Sequence, residues 1–295
     1  MAKLAAFLFL CLTSLVFAAE PAGNITGIMD WESLKIDATI TIDLKGANIP
    51  IPTGRSIAED SLFSQFFTKI SVFLLSIPVD SSSTLGDWVE KGLLNADAVD
   101  STIQEAEHIP SSFSKDFSTM SASYTIGLAG ITHKLVSHRS PSAISPALTP
   151  IETGSYTGIL IIAQEELPIH GRQKPGRLVP CLFPKVWDTD MNLVYEKNMV
   201  NPEAFSKAGM IRYTKPENIF QKTPSGISSS LEKFIGDKPL RIIARSVFGI
   251  SPTDPIIDAT DALAILSSEE NRMLLREGKV AIVVNQEVLS KRISD

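Results

Sequence analysis

The chain has 295 residues, 44% of them hydrophobic, 20% charged and 7% aromatic, with a formal net charge of −6. That is enough apolar material for one large domain or two modest ones, and it excludes intrinsic disorder. The mild acidity, with no long basic tract interleaved with rings, excludes a nucleic-acid footprint.

The first segment reads as an export signal. Lys3 precedes the apolar run LAAFLFLCLTSLVF, and small residues follow, with Val16 and Ala18 placed as signal peptidase requires. The run falls short of the about 20 residues needed to cross a hydrocarbon core. The expectation is therefore a signal peptide over residues 1–19, cleaved near Ala18 or Ala19, and a periplasmic or cell-envelope location. Cys11 lies inside the run, and Leu8-Phe9-Leu10 ahead of it lacks the small residue that lipidation demands. Cleavage leaves Cys181 alone, so no intramolecular disulfide can form and stability rests on packing. Cys181 stands beside Val179, Leu182 and Phe183 in a strand-like run and is expected to be buried and inert.

Trp31 to Leu44 alternates, with Leu34, Ile36, Ala38, Ile40, Ile42 and Leu44 on one side and Lys35, Asp37, Thr39, Thr41 and Asp43 on the other. This predicts a long half-buried strand. After Pro50 and Pro52, apolar residues recur from Ile57 through Leu62, Phe66, Ile70 and Leu74 to Ile77 at helical spacing. Each large side chain fully buried contributes roughly 1.5–3 kcal/mol, so the apolar face must lie on a sheet. A membrane surface is the rival cover, but the polar side offers only Lys69 near its middle. Short helices are expected over Leu85–Leu94 and Asp97–His108, and an extended segment over Phe117–Val136.

Residues 137–152, SHRSPSAISPALTPIE, carry three prolines and read as a linker or long surface loop. They separate an N-terminal α+β region, 20–136, from a C-terminal one, 153–295. Tyr156–Ala163 restarts as a strand buried on both faces. The segment HGRQKPGR follows as a basic loop. Val179–Trp187 and Leu193–Val200 then flank Asp188-Thr189-Asp190-Met191-Asn192, which predicts a β-hairpin. A calcium loop starting at Asp188 fails because Leu193 and Met199 occupy the glycine and closing-glutamate positions. Leu240–Val247 reads as a strand, Ala259–Leu266 and Ser268–Arg276 as helices stopped by Gly278, and Lys279–Val284 as a last strand. The fold class is α+β, an antiparallel or mixed sheet with a packed amphipathic helix and a hairpin-rich C-terminal half.

No catalytic constellation emerges. His108, His133, His138 and His170 form no H-x-x-x-H, and no phosphate-loop, dinucleotide or nucleophile-elbow pattern occurs. Asp254, Asp258 and Asp261 precede a helix, where carboxylates cap free N–H groups. His170, Arg172, Lys174 and Arg177 are the candidate partner-binding residues, set to meet an anionic glycan or protein. No cofactor or metal is expected.

SYTGILIIAQ, PCLFPKVWDTDMNLVY, RIIARSVFGISPTDPIID and AILSSEENRMLLREGKVAIVV resemble bacterial envelope proteins grouped with LPP20 lipoproteins and the amino-terminal part of flagellar assembly protein T. IPIPTGRSIAED and LLSIPVDSSSTLGDWV look like spirochaete-type exported proteins of that architecture. The sequence departs from the family's D-A-R-G stretch, which is here Ile162-Ala163-Gln164-Glu165. The resemblance implies an envelope or flagellum-associated structural protein; with the export signal and no catalytic constellation, the expectation is a non-catalytic structural or assembly factor that binds periplasmic or flagellar proteins, with peripheral membrane contact as a second mode. An exported hydrolase or carbohydrate-active enzyme, its carboxylates assembled only in the fold, is the alternative.

Overall fold

The computed structural model describes residues 23–220 and 230–294. The expected signal peptide lies outside them. In the first region the chain forms β1 (Asn24–Asp30), β2 (Lys35–Asp43), α1 (Arg55–Leu75), α2 (Leu85–Glu90), α3 (Ala96–Gln104), β3 (Glu107–Phe113), β4 (Thr119–Gly127) and α4 (Ala129–Lys134). The second region begins with β5 (Ile159–Ala163), β6 (Val186–Asp188), β7 (Leu193–Tyr195), α5 (Pro202–Ala208), β8 (Arg212–Thr214), α6 (Glu217–Phe220) and α7 (Ser230–Ile235). It ends with β9 (Leu240–Ile243), β10 (Ser246–Phe248), β11 (Asp254–Ile257), α8 (Ala259–Leu266), α9 (Glu269–Arg276), β12 (Val280–Val284), α10 (Gln286–Leu289) and β13 (Ser290–Ser294). This is the expected α+β class.

Three sheets carry the fold. An antiparallel one has the order β13-β1-β2-β4-β3, a parallel one β8-β12-β5-β9, and a small mixed one β10-β11-β6-β7. In the first, the alternation of β2 pairs it with β4 from Lys35↔Gly127 to Asp43↔Thr119. The inward residues meet one stripe of α1, Ala58, Leu62, Phe66, Ile70 and Leu74, whose four-residue spacing is a helix face. Phe66 stacks on Tyr124 with ring centroids 3.8 Å apart. The stripe is narrower than the sequence suggested: Ile57 stays exposed. The sheet's other face is polar and joined across strands, Thr39 Oγ1 lying 2.8 Å from Ser123 Oγ and Thr125 Oγ1 donating to Asp37 at 2.6 Å.

Several expectations are corrected. The strand expected from Trp31 begins only at Lys35, after a turn in which Leu34 has φ 53°. The helix expected through His108 ends at Gln104, and His108 lies in the edge strand β3. The extended segment Phe117–Val136 becomes helical after Gly127, because Leu128, Ile131 and Leu135 recur at helical spacing and are all buried. The hairpin strands shrink to β6 and β7: Pro180 and Pro184 withhold ladder donors. The preceding stretch instead ties the regions together, Leu182 N–H donating to Pro78 O at 3.1 Å and Phe183 N–H to Val79 O at 2.7 Å.

Residues 137–152 contain no helix or strand. They are nonetheless held down. Ser142 N–H donates to Asn198 O at 2.7 Å, Ile151 N–H to Ser267 Oγ at 3.0 Å, and Ile144 is buried. The last strand crosses the expected boundary altogether, since β13 pairs antiparallel with β1 from Thr26↔Ser294 to Asp30↔Ser290. One continuous core accordingly draws residues from both regions, with Trp31 edge-on to Tyr213 at 6.0 Å.

α8 and α9 match expectation. Asp258 caps α8 by accepting from Thr260 N–H at 3.0 Å, and Ser268 caps α9. Gly278 follows α9 with φ 64°, and a Cβ there would meet Gly209 O at 2.7 Å, so only glycine fits.

Candidate functional site

The basic loop is a closed turn. Leu167 and Gly176 exchange backbone hydrogen bonds of 2.8 and 2.9 Å, and His170 N–H donates to Val247 O at 2.8 Å, pinning the loop beside β10. Its four basic residues do not act as one patch. Arg172 Nη2 donates to the carbonyls of Gly249 (3.1 Å) and Ile250, so it clamps the following loop. Arg177 is paired with Glu287 of α10. His170 and Lys174 remain exposed. The His170 ring stands 5.9 Å from Phe248, Phe248 stands 5.9 Å from Trp187, and Lys185 Nζ lies 5.9 Å over the Trp187 ring.

A row of His170, Phe248, Trp187 and Lys185 thus crosses the small sheet, with Ile250 exposed beside Arg172's carbonyl partners. Alternation explains it: in K-V-W-D and S-V-F-G, Val186 and Val247 are buried while Trp187 and Phe248 are only half-buried. The basic residues stood out in the sequence and the rings did not, although their outward positions next to inward valines were the available signal. Aromatic rings with cations at a surface are the composition of protein-recognition centres.

Beneath the row lies a buried polar cluster. Asp254 is fully buried and accepts from Lys185 N–H (3.1 Å), Thr253 Oγ1 (2.8 Å) and Trp187 Nε1 (3.4 Å). Burial pushes its carboxyl up, and these donors together with Ser81 oppose that rise. Asp254 is therefore an internal anchor and not a helix cap as expected; its strand precedes α8, and Asp258 does the capping. Asp258 is held below the usual carboxylate range by Thr260, whereas burial and then Asp258 raise Asp261.

Cys181 is the inert core thiol expected. Tyr213 Oη accepts from Cys181 N–H at 3.1 Å and donates to Cys181 O at 3.0 Å, and burial pushes both the thiol and the phenol up. The gap beside them is about 20 Å³, room for one water. The hairpin turn is scaffold as well. Asp188 Oδ1 accepts from the N–H groups of Asp190 (2.9 Å) and Asn192 (2.7 Å), so its carboxylate is spent on the turn. Among the described residues no three His, Cys, Asp or Glu side chains are grouped to hold a metal, and no helix is long and apolar enough to cross a membrane.

Residues 22–134 match the family model described as the N-terminal domain of Treponema pallidum Tp0624, and residues 158–286 match the model of that protein's second domain. The first match holds α1 and most of the antiparallel sheet; the second holds the row of rings and the parallel sheet. The curated proteins contain no match. The chain is similar, in the same order, to two successive domains of a spirochaete protein.

Proposed function

We propose that this spirochaete-type chain, with its two Tp0624-like domains, is an exported, non-catalytic envelope protein. It acts as a structural or assembly factor whose partner, of the LPP20-like or flagellar environment its strands resemble, docks on the row His170–Phe248–Trp187–Lys185 and on the exposed Lys174 of the basic loop. The observation that supports this reading is the row itself. Both rings lie on the face of the small sheet opposite buried Val186 and Val247, beside Ile256 and Asp254, and they stay half-buried where those neighbours are fully buried, so their outer faces are left to meet a partner.

The strongly shifted groups fit the same reading. Cys181, Tyr195, Tyr213 and Asp254 are perturbed by burial and are hydrogen-bonded inside the core. A glycosidase would call for two carboxylates about 5 to 9.5 Å apart in a cleft. The cleft beside α1 is lined, among the described residues, by one carboxylate, Glu59.

The test is affinity co-purification of the tagged protein from detergent-solubilised envelope, alongside a Phe248→Ala, Lys174→Glu double variant. Recovery of basal-body or outer-membrane components by the parent and their loss from the folded variant is the expected result. Equal recovery by both would reject the row as the docking surface. Normal flagella and an intact envelope in cells lacking the protein would remove the flagellar assignment.

A further inference from the structure

The helix-on-sheet sandwich has an opening. Between α1, α3 and the edge strand β3 lies a cleft of about 400 Å³, within the range of small-molecule sites. Its floor is core, Leu62, Ile103 and Ala122, all buried. Its walls are rings: Phe63, Tyr124 and His108, with His108 at 30° to Tyr124 and 6.1 Å from it.

Two features of the sequence make the opening. On β4 the inward side chains run Met120, Ala122, Tyr124, Ile126, and the small Ala122 leaves a step between large neighbours. On β3 the register with β4 shifts between Ile109 and Ser112, where Pro110 sits, so the edge strand bends at the mouth. Protein cores are close-packed, and at this mouth Phe63 and Ile109 stay exposed above the buried floor, apolar surface that an occupant of the cleft would cover.

The rim holds one carboxylate among the described residues, Glu59. Arg55 Nε (3.0 Å) and Ser111 Oγ (2.7 Å) both donate to Oε1 of Glu59, and these contacts hold its carboxyl below the usual range, the Ser111 bond most strongly. Oε2 takes neither bond. The carboxylate is thereby fixed in place with one oxygen left to accept.

We propose that this cleft binds a small, largely apolar molecule carrying a single N–H or O–H donor, its apolar body against Phe63, Tyr124 and Ala122 and its donor on Glu59. The site is independent of the row of rings and would stand if that docking surface failed.

N-phenyl-1-naphthylamine, apolar with one N–H, is a matched probe. Titrated into the purified protein, it should give a saturable fluorescence rise with one site per chain. Ala122→Leu fills the step and should abolish that saturable rise. Glu59→Gln should weaken binding about tenfold, while binding of the N-methylated probe, which lacks the donor, should be the same in parent and Glu59→Gln. No saturable rise in the parent, or an unchanged Kd in folded Ala122→Leu, would overturn the site. If Ala122→Leu loses its cooperative thermal transition, Ala106→Leu at the mouth replaces it, and a parental Kd in that variant would overturn the site in the same way. Equal weakening of both probes by Glu59→Gln would overturn the donor assignment.

Discussion

The antiparallel and parallel sheets bury their strands in different ways. β2 alternates between buried Ile36, Ala38, Ile40 and Ile42 and outward Lys35, Asp37, Thr39, Thr41 and Asp43, because α1 covers one face and water the other. In β12 all five residues of V-A-I-V-V are buried. Val280, Ile282 and Val284 join the main core, while Ala281 and Val283 pack with Leu160, Leu231 and Phe234 on the opposite face. A sheet covered on both faces has no side from which to present residues. The row of rings is accordingly found on the neighbouring small sheet, and the cleft at an edge of the one-sided sheet.

Substitutions sharpen that contrast. The largest effect is expected at the centre of the parallel sheet: Ile282→Ala should cost roughly 2–5 kcal/mol in urea unfolding. The same truncation on an outward position of the antiparallel sheet, Thr41→Ala, should stay within about 0.5 kcal/mol. Equal costs would mean that the two faces of β2 are not as unlike as their burial shows.

Between these limits lies the anchor under the row. Asp254→Asn should cost roughly 1–3 kcal/mol near neutral pH, because an amide nitrogen cannot accept from the donors now facing the carboxylate. Folding raises the Asp254 pKa, so the native state holds this proton more tightly than the unfolded chain does. The group's contribution is greatest below the ordinary carboxylate value and declines as pH rises through the raised one. The difference in stability between parent and Asn variant should therefore shift against the parent across that window, measured as paired unfolding midpoints at several pH values; a flat difference would remove the burial effect. Smaller still, Asp258→Ala should cost about 1 kcal/mol through loss of the α8 cap, and amide exchange should quicken in the first turn of α8 alone.

The elements with a strong local apolar pattern were legible in the sequence. α1, β2, α8, α9 and β12 fall within a few residues of their expected positions, and Cys181 is buried and inert as its apolar neighbours implied. What escaped were short elements whose existence depends on distant partners. β1 has buried only Ile25 and Met29 among its interior positions, with Gly27 between them, too sparse a signal to mark a strand. It is set by β2 on one side and β13 on the other. α4 was hidden because Leu128, Ile131 and Leu135 continue the apolar side of β4 before the period changes.

The candidate site was half legible. His170, Arg172, Lys174 and Arg177 announce a basic loop, but whether a cation faces solvent or a carbonyl depends on where Gly249, Ile250 and Glu287 arrive in space. Trp187 and Phe248 sit in separate strands 61 positions apart, and only β11, parallel to β6 and antiparallel to β10, brings them together.

By itself, the sequence determined the α+β class, the one-sided burial of β2 and α1, the two-sided burial of β5, the places of α8, α9 and β12, a carboxylate cap ahead of α8, and a buried, inert Cys181. These follow from local period, local dihedral preference and composition. The tertiary structure decided that β13 joins the first sheet as an edge strand, that two of the four basic-loop residues serve the scaffold, that Asp254 anchors and does not cap, and that Ala122 and a bent edge strand open a cleft. Each of these rests on contacts between residues far apart in the chain, whose free energy exists only once the intervening segments have packed.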